Sequence, residues 1–382
     1  MTGYQRIKYA LGHKEPDRVP IDLGGTTVTS LASHLLKDLL EHYNIAAEFL
    51  SPDQIQGIGT PTTELKKKLG IDTIRVGPDR IPNIIANSEF TDSDLLVEDS
   101  WQISWKQCVG DLYFHQISWP LKNNALEDGL QDYKFPNPDA AYITKKVGSD
   151  LKLVDDYFPI LDRDCAGMFE MSQRLRGMED FFMDLYLEEL SAEKLAEELL
   201  AYKCAYWDII LPMISDDPDT SFVVTEADDF GTDASLLISP ELIRKIYLPR
   251  LKRLITHIKT IRPQAKISFH SCGAVRQIIP DLIEAGIDIL NPVQYTAAGM
   301  DIAGLKKDFS KDLVFWGGCI DTSKILPYGT PDEVSDEVKR VLDIMAPGGG
   351  FVASAIHNIQ ADVPVDNVIR LFETLLDYGK YN

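Results

Sequence analysis

The sequence predicts a single α/β domain of the (β/α)8 type, a TIM-type barrel, with N-terminal additions that include a β-hairpin. Three observations carry this. From about residue 150 onward, short apolar runs alternate with amphipathic helical stretches, the rhythm of repeated βα units around a parallel sheet. Four of those runs, SFVVTEADDFG (221–231), KISFHSCG (266–273), LVFWGGCIDT (313–322) and GFVASAIHNI (350–359), turn polar or glycine-containing at their C-terminal ends, where a barrel strand leaves the core. No internal repeat, low-complexity linker or boundary divides the chain, so residues 1–382 are read as one domain.

The helices between these runs carry their own punctuation. Thr330, Pro331 and Glu333 form a capping box with proline at the first helical position, and Val334, Val338, Val341 and Met345 follow on one face. Ser239 and Pro240 open another helix, which Pro249 should kink or divide. Leu195, Leu199, Tyr202 and Tyr206 continue a helical period after Ser191. Residues 1–150 are less regular, with a strand expected at VPIDLGG (19–25), a helix near 30–43 and a strand at TIRVGP (73–78). The segment WQISWKQCVGDLYFHQISWP (101–120) alternates apolar and polar residues around Gly110-Asp111, which predicts a hairpin with a tight primed turn. That hairpin either caps the barrel over a ligand or covers its bottom.

Hydrophobic residues make up 45% of the 382, enough for a large buried core, while a formal charge of −21 repels phosphate backbones and anionic membranes. Nucleic acid and membrane are therefore excluded as expected partners. The N-terminal stretch lacks an apolar signal core, no run could span a bilayer, and five scattered cysteines suit a reducing compartment, so a cytoplasmic protein is expected.

The chemistry concentrates at the ends of the four runs. His270 and Cys272 are two residues apart, so at an extended strand end both side chains fall on one side and can converge on a metal. Imidazole with thiolate suits zinc. Cys319 and His357 end the next two runs and face the same mouth, since all C-terminal strand ends of a barrel share one pocket. Glu226, Asp228 and Asp229 end the preceding run, as helix caps or as a general acid, ligand or substrate anchor. Three protein ligands and one open position make a catalytic zinc, not a structural one, and no C-x-x-C pair points to a finger or ribbon. No G-x-S-x-G, Walker A or H-E-x-x-H motif occurs, and Gly348-Gly349-Gly350 reads as a helix-to-strand loop.

The set RIKYALGHKEPDRVPID (6–22), EADDFG with SPELIRKIYLP, HSCG with LIEAGIDILNPVQ, GGCIDT and HNIQADVPVDNV resembles the uroporphyrinogen decarboxylase superfamily along nearly the whole chain. That superfamily has a (β/α)8 barrel and two branches, haem-pathway decarboxylases and zinc-dependent corrinoid methyltransferases. The decarboxylases hold their anionic substrate with an arginine-containing motif near the first strand, whereas here the strand runs into GGTTVTS without arginine. The methyltransferases carry H-x-C where this chain has His270 and Cys272. The resemblance therefore implies one catalytic Zn2+ and methyl transfer between a small methylated molecule, methoxylated or thiol, and a cobalamin. No aspartate lies two residues before any histidine, so the cobalamin is expected on a separate corrinoid protein. Glu226 and Asp228 are the expected catalytic carboxylates; Cys319 is preferred as third ligand for its softness, with His357, which matches the coenzyme M enzymes' third ligand by position, as the alternative. A decarboxylase and a non-catalytic zinc-binding barrel remain the other readings, and the resemblance implies a homodimer.

Overall fold

The computed structural model describes residues 1–49, 51–81, 83–84 and 94–381. Its strands are, in chain order, β1 (Leu31–Ala32), β2 (Ile58–Gly59), β3 (Thr73–Val76), β4 (Asn83–Ile84), β5 (Leu95–Glu98), β6 (Ser104–Gln107), β7 (His115–Gln116), β8 (Phe158–Leu161), β9 (Val223–Ala227), β10 (Lys266–His270), β11 (Ile289–Asn291), β12 (Val314–Trp316) and β13 (Phe351–Val352). Seven of them form one parallel sheet in the order β3-β8-β9-β10-β11-β12-β13.

The eighth barrel position belongs to residues 20–22. Ile21 bridges Ala353 in parallel, with Asp22 N–H donating to Ala353 O and Ala353 N–H to Pro20 O, each at 2.8 Å. On the other side Asp72 N–H donates to Ile21 O at 2.8 Å, so this short segment closes the gap between β13 and β3. The strand expected at 19–25 is thus present in shortened form, because Gly24 (φ +77°) turns the chain away.

The strand period of two divides the core. Phe158, Ile160, Val223, Ile289, Val314, Trp316 and Val352 point inward and form the barrel's inner cluster. Val224, Ile267, Phe269, Leu290, Phe315 and Phe351 point outward into the larger layer beneath the helices. The helix Gly3–Leu11, with a Thr2/Gln5 capping box, adds Ile7 and Ala10 to the inner cluster and packs on β8 and β13, so it plugs the N-terminal end of the barrel.

Outside the barrel, helix Pro331–Met345 has the expected Thr330/Glu333 capping box and buries Val334, Val338, Val341 and Met345. Helix Glu189–Ile210 buries Leu195, Leu199, Tyr202 and Tyr206. The helix opened by Ser239 passes through a π turn at Ile243–Tyr247 before continuing as Leu248–Ile261. Pro249 supplies no N–H for an ordinary helical bond there, and the wider turn absorbs the loss. None of the helices among the described residues is long and apolar enough to cross a membrane.

The expected hairpin exists but its turn does not have the expected form. β6 pairs with β7 antiparallel, Trp105 opposite Gln116, leaving seven connecting residues, 108–114, instead of two. Asp111 tightens the tip by returning its N–H to Cys108 O and accepting the Cys108 N–H at 2.8 Å, while Phe114 N–H leaves the ladder for Ile55 O. With β4 and β5 it makes a four-stranded antiparallel sheet.

Candidate metal centre

β10 ends at His270, whose parity places it with Ser268 on the barrel's inner side. Its Nδ1 lies 2.6 Å from Asn291 Oδ1, and Asn291 Nδ2 donates to Trp316 O at 2.9 Å. That second bond fixes which end of the amide faces the imidazole. Nδ1 therefore carries the proton and Nε2 keeps its lone pair for a ligand. Two residues on, Cys272 Sγ lies 3.4 Å from that Nε2. Asp229 Oδ1 accepts the Cys272 N–H at 2.8 Å, and Gly273 (φ +87°) lets the turn pass where a Cβ would meet Gly231 C at 2.5 Å.

His357 completes a group of three. It lies in the loop after β13, anchored by its neighbour Asn358, which accepts the Ser30 N–H and donates to Thr27 O. The His270 and His357 rings are 5.5 Å apart at 65°, and one donor atom from each of His270, Cys272 and His357 lies within 4.8 Å of the other two.

Cys319, the preferred third ligand on sequence grounds, is not in this group. β12 ends at Trp316, and Gly317 (φ +92°) and Gly318 (φ +79°) turn the chain. The Cys319 side chain then enters the apolar layer outside the barrel, wholly buried, while its N–H bonds Ser354 O. Softness towards zinc selects a residue type; backbone direction selects the residue.

The two expected catalytic carboxylates are also placed away from the three donors. Glu226 points outward from β9, accepting Lys203 Nζ at 2.8 Å on Oε2 and Trp207 Nε1 at 2.7 Å on Oε1, in a buried cluster beneath helix Glu189–Ile210. Asp228 accepts the backbone N–H groups of Phe169 and Glu170, both at 2.9 Å, and so caps helix Met168–Arg176. Gly167 makes this approach possible, since a Cβ there would lie 2.0 Å from Ala227 O. Burial pushes the Asp228 carboxyl up to about 8. Asp229 is the carboxylate at the centre, its Oδ1 3.7 Å from His270 Nε2.

Burial lowers the pKa of His270, and burial with neighbouring His270 lowers that of His357 to about 4, so both imidazoles are neutral and open to a metal at neutral pH. Burial, then Asp229 and Glu170, push the Cys272 thiol well up, so a metal must displace its proton and affinity should rise with pH. A histidine whose folded pKa is depressed stabilises fully above its unfolded value and loses that contribution as pH falls through the folded one. As pH falls below 6.5 the metal-free protein should therefore lose stability through His270 and His357, since both must take up a proton in a buried site. Urea titrations across that range should show His357→Gln with the shallower loss.

Beside His357 opens a cavity of about 640 Å³. Trp101, Trp105, Tyr113 and Phe114 from the antiparallel sheet line it together with Tyr202, so the hairpin covers the mouth of the barrel, not its plugged bottom. Trp316 lies deeper, donating Nε1 to Asp22 Oδ2 at 2.8 Å. Two residues of the centre went unseen in sequence reasoning. Asn291 ends a three-residue strand that no alternation marks, and Arg163, which follows β8 and shares a small space with His270, carried no signal either.

Residues 220–378 match the family model described as uroporphyrinogen decarboxylase (URO-D). A comparison with curated protein sequences finds no match. Among solved structures, a methyltransferase from Methanosarcina mazei aligns over 99% of this chain and 99% of its own, with a TM-score of 0.64 and 15% identity, a likeness of fold. The matched segment runs from just before β9 to the end of the C-terminal helix Val365–Tyr378 and contains all three donors, so this part of the barrel is similar to the uroporphyrinogen decarboxylase family.

Proposed function

We propose that this protein is a zinc-dependent methyltransferase that moves a methyl group between a small methylated molecule and the cobalamin of a separate corrinoid protein. The convergence of His270, Cys272 and His357 at the barrel mouth carries the reading. Two imidazoles and a thiol suit zinc, and three protein donors leave a fourth position for substrate. Zinc bound there supplies Lewis acidity, to a thiol acceptor or to the ether oxygen of a methoxylated donor.

The chain's own residues do the rest. Asn291 fixes the His270 tautomer, and Asp229 holds the Cys272 backbone while its carboxylate stands beside the donors. The aromatic walls at Trp101, Trp105 and Tyr202 favour an apolar, ring-bearing methyl donor and exclude water from the reacting face. The likeness in fold to a methyltransferase supports the same branch.

Metal analysis and methyl transfer test it together. Wild type should carry about one zinc per chain. His270→Ala and Cys272→Ala should lose it, His357→Ala should hold it weakly, and Cys319→Ala should keep it. Reduced free cobalamin or a corrinoid protein, offered with a panel of aryl methyl ethers and methylated thiols, should show its spectral conversion to the methylated form. A wild type that takes up no zinc when it is offered would sink the reading.

A further inference from the structure

Arg163 follows β8 into the barrel, is 6% exposed, and has Nε and Nη1 buried without a hydrogen-bond partner among the described residues. The nearest carboxylate, Asp162, is already committed. Its Oδ2 takes Arg75 Nε at 2.8 Å and the Thr27 N–H at 3.0 Å, and its Oδ1 takes Thr225 Oγ1 at 2.9 Å. Arg163 Nη1 is 3.9 Å from that Oδ1, beyond hydrogen-bond reach. The backbone is fixed on both sides, since the Arg163 N–H donates to Thr225 Oγ1 at 3.0 Å and its carbonyl accepts Arg80 Nη2 at 3.5 Å.

A buried guanidinium with unmade hydrogen bonds is costly, more so than the buried hydroxyls of Thr27 and Tyr247 that also lack a partner, and such exceptions call for one. Arg163 lines a small space together with Thr225, Glu226, Ser268, His270 and Asn291, and His270 is the one of the three donor residues that borders it. The space measures about 10 Å³, room for one atom and not for a whole carboxylate.

We propose that Arg163 is the anion receptor of this centre, donating to one negatively charged oxygen or sulfur atom of the molecule bound at His270, Cys272 and His357. The location of that molecule rests on the reading of the three residues as a metal centre; the anion preference rests on Arg163 alone. A planar fork of donors recognises such an atom better than an ammonium does. Ligands with an ionisable thiol, phenol or carboxyl at the metal-facing end are then preferred over permanently neutral or cationic ones.

Formate and azide serve as probes, first by thermal unfolding of the metal-free protein at constant ionic strength. Wild type should be stabilised in a saturable way, Arg163→Met should not respond, and Arg163→Lys should respond weakly. In cobalt(II)-loaded protein, formate should perturb the visible bands of wild type, with affinity about tenfold or more weaker in Arg163→Met. Equal responses in wild type and Arg163→Met, or none in wild type, would overturn the proposal and leave an ordered water as Arg163's partner. Anion stabilisation confined to wild type in a protein that binds no cobalt would uphold Arg163 and remove the metal reading. Normal cobalt binding without an anion effect would do the reverse. Should Arg163→Met fail to fold, the Arg163→Lys series decides.

Discussion

Glu226→Ala should destabilise the protein by about 3–5 kcal/mol while leaving its metal content intact. Glu226 joins β9 to helix Glu189–Ile210 through Lys203 and Trp207, and both members of the ion pair are under 5% exposed. Truncation strands the Lys203 ammonium in an apolar layer, along with the Trp207 N–H. Replacing both charges together, as in Lys203→Met with Glu226→Leu, should recover most of the loss, because no unpaired charge is left behind. Urea unfolding of the two single variants and the double measures this. A Glu226→Ala protein of near-normal stability that has lost its metal would return Glu226 to the site.

The second large effect is expected at Asn291. Asn291→Leu keeps the volume of the side chain but removes both the acceptor for His270 Nδ1 and the donor to Trp316 O. Released from that bond, the imidazole samples the other tautomer and other ring orientations. Outer partners of this kind typically carry 10- to 100-fold in metal affinity. Competition against a chromophoric chelator should therefore show zinc binding weakened by about that factor, with folding cooperativity retained. Unchanged affinity would mean that packing alone orients His270.

Which parts of this arrangement were legible in advance follows from where the information sits. Thr330 with Glu333, and His270 with Cys272, are local patterns whose geometry depends on a few consecutive residues, and the structure places them as the spacing predicts. β8 and β11 were passed over because Phe158–Leu161 and Ile289–Asn291 are three or four residues long, buried on both faces, and flanked or interrupted by proline, so no alternation marks them. The two misplaced carboxylates have a common cause. Along β9 the period of two sends Glu226 outward beneath the helices, and where the strand stops Asp228 is drawn to the orphan N–H groups of a helix from elsewhere in the chain. Cys319 and His357 differ in the two positive-φ glycines before Cys319, and a glycine pair announces freedom without giving its direction. Asn291 acts on a residue 21 positions away, a distance over which spacing says nothing.

The helix Gly3–Leu11, seated in the bottom of the barrel, makes the molecule a cup with a single rim. On the proposed function, small molecules would enter and leave across that rim, and a protein that docked there to exchange a methyl group would stand in their path. Turnover would then have a traffic order: the cup would fill before it is covered and empty only after its visitor departs. High concentrations of the visiting protein should slow the cycle rather than speed it.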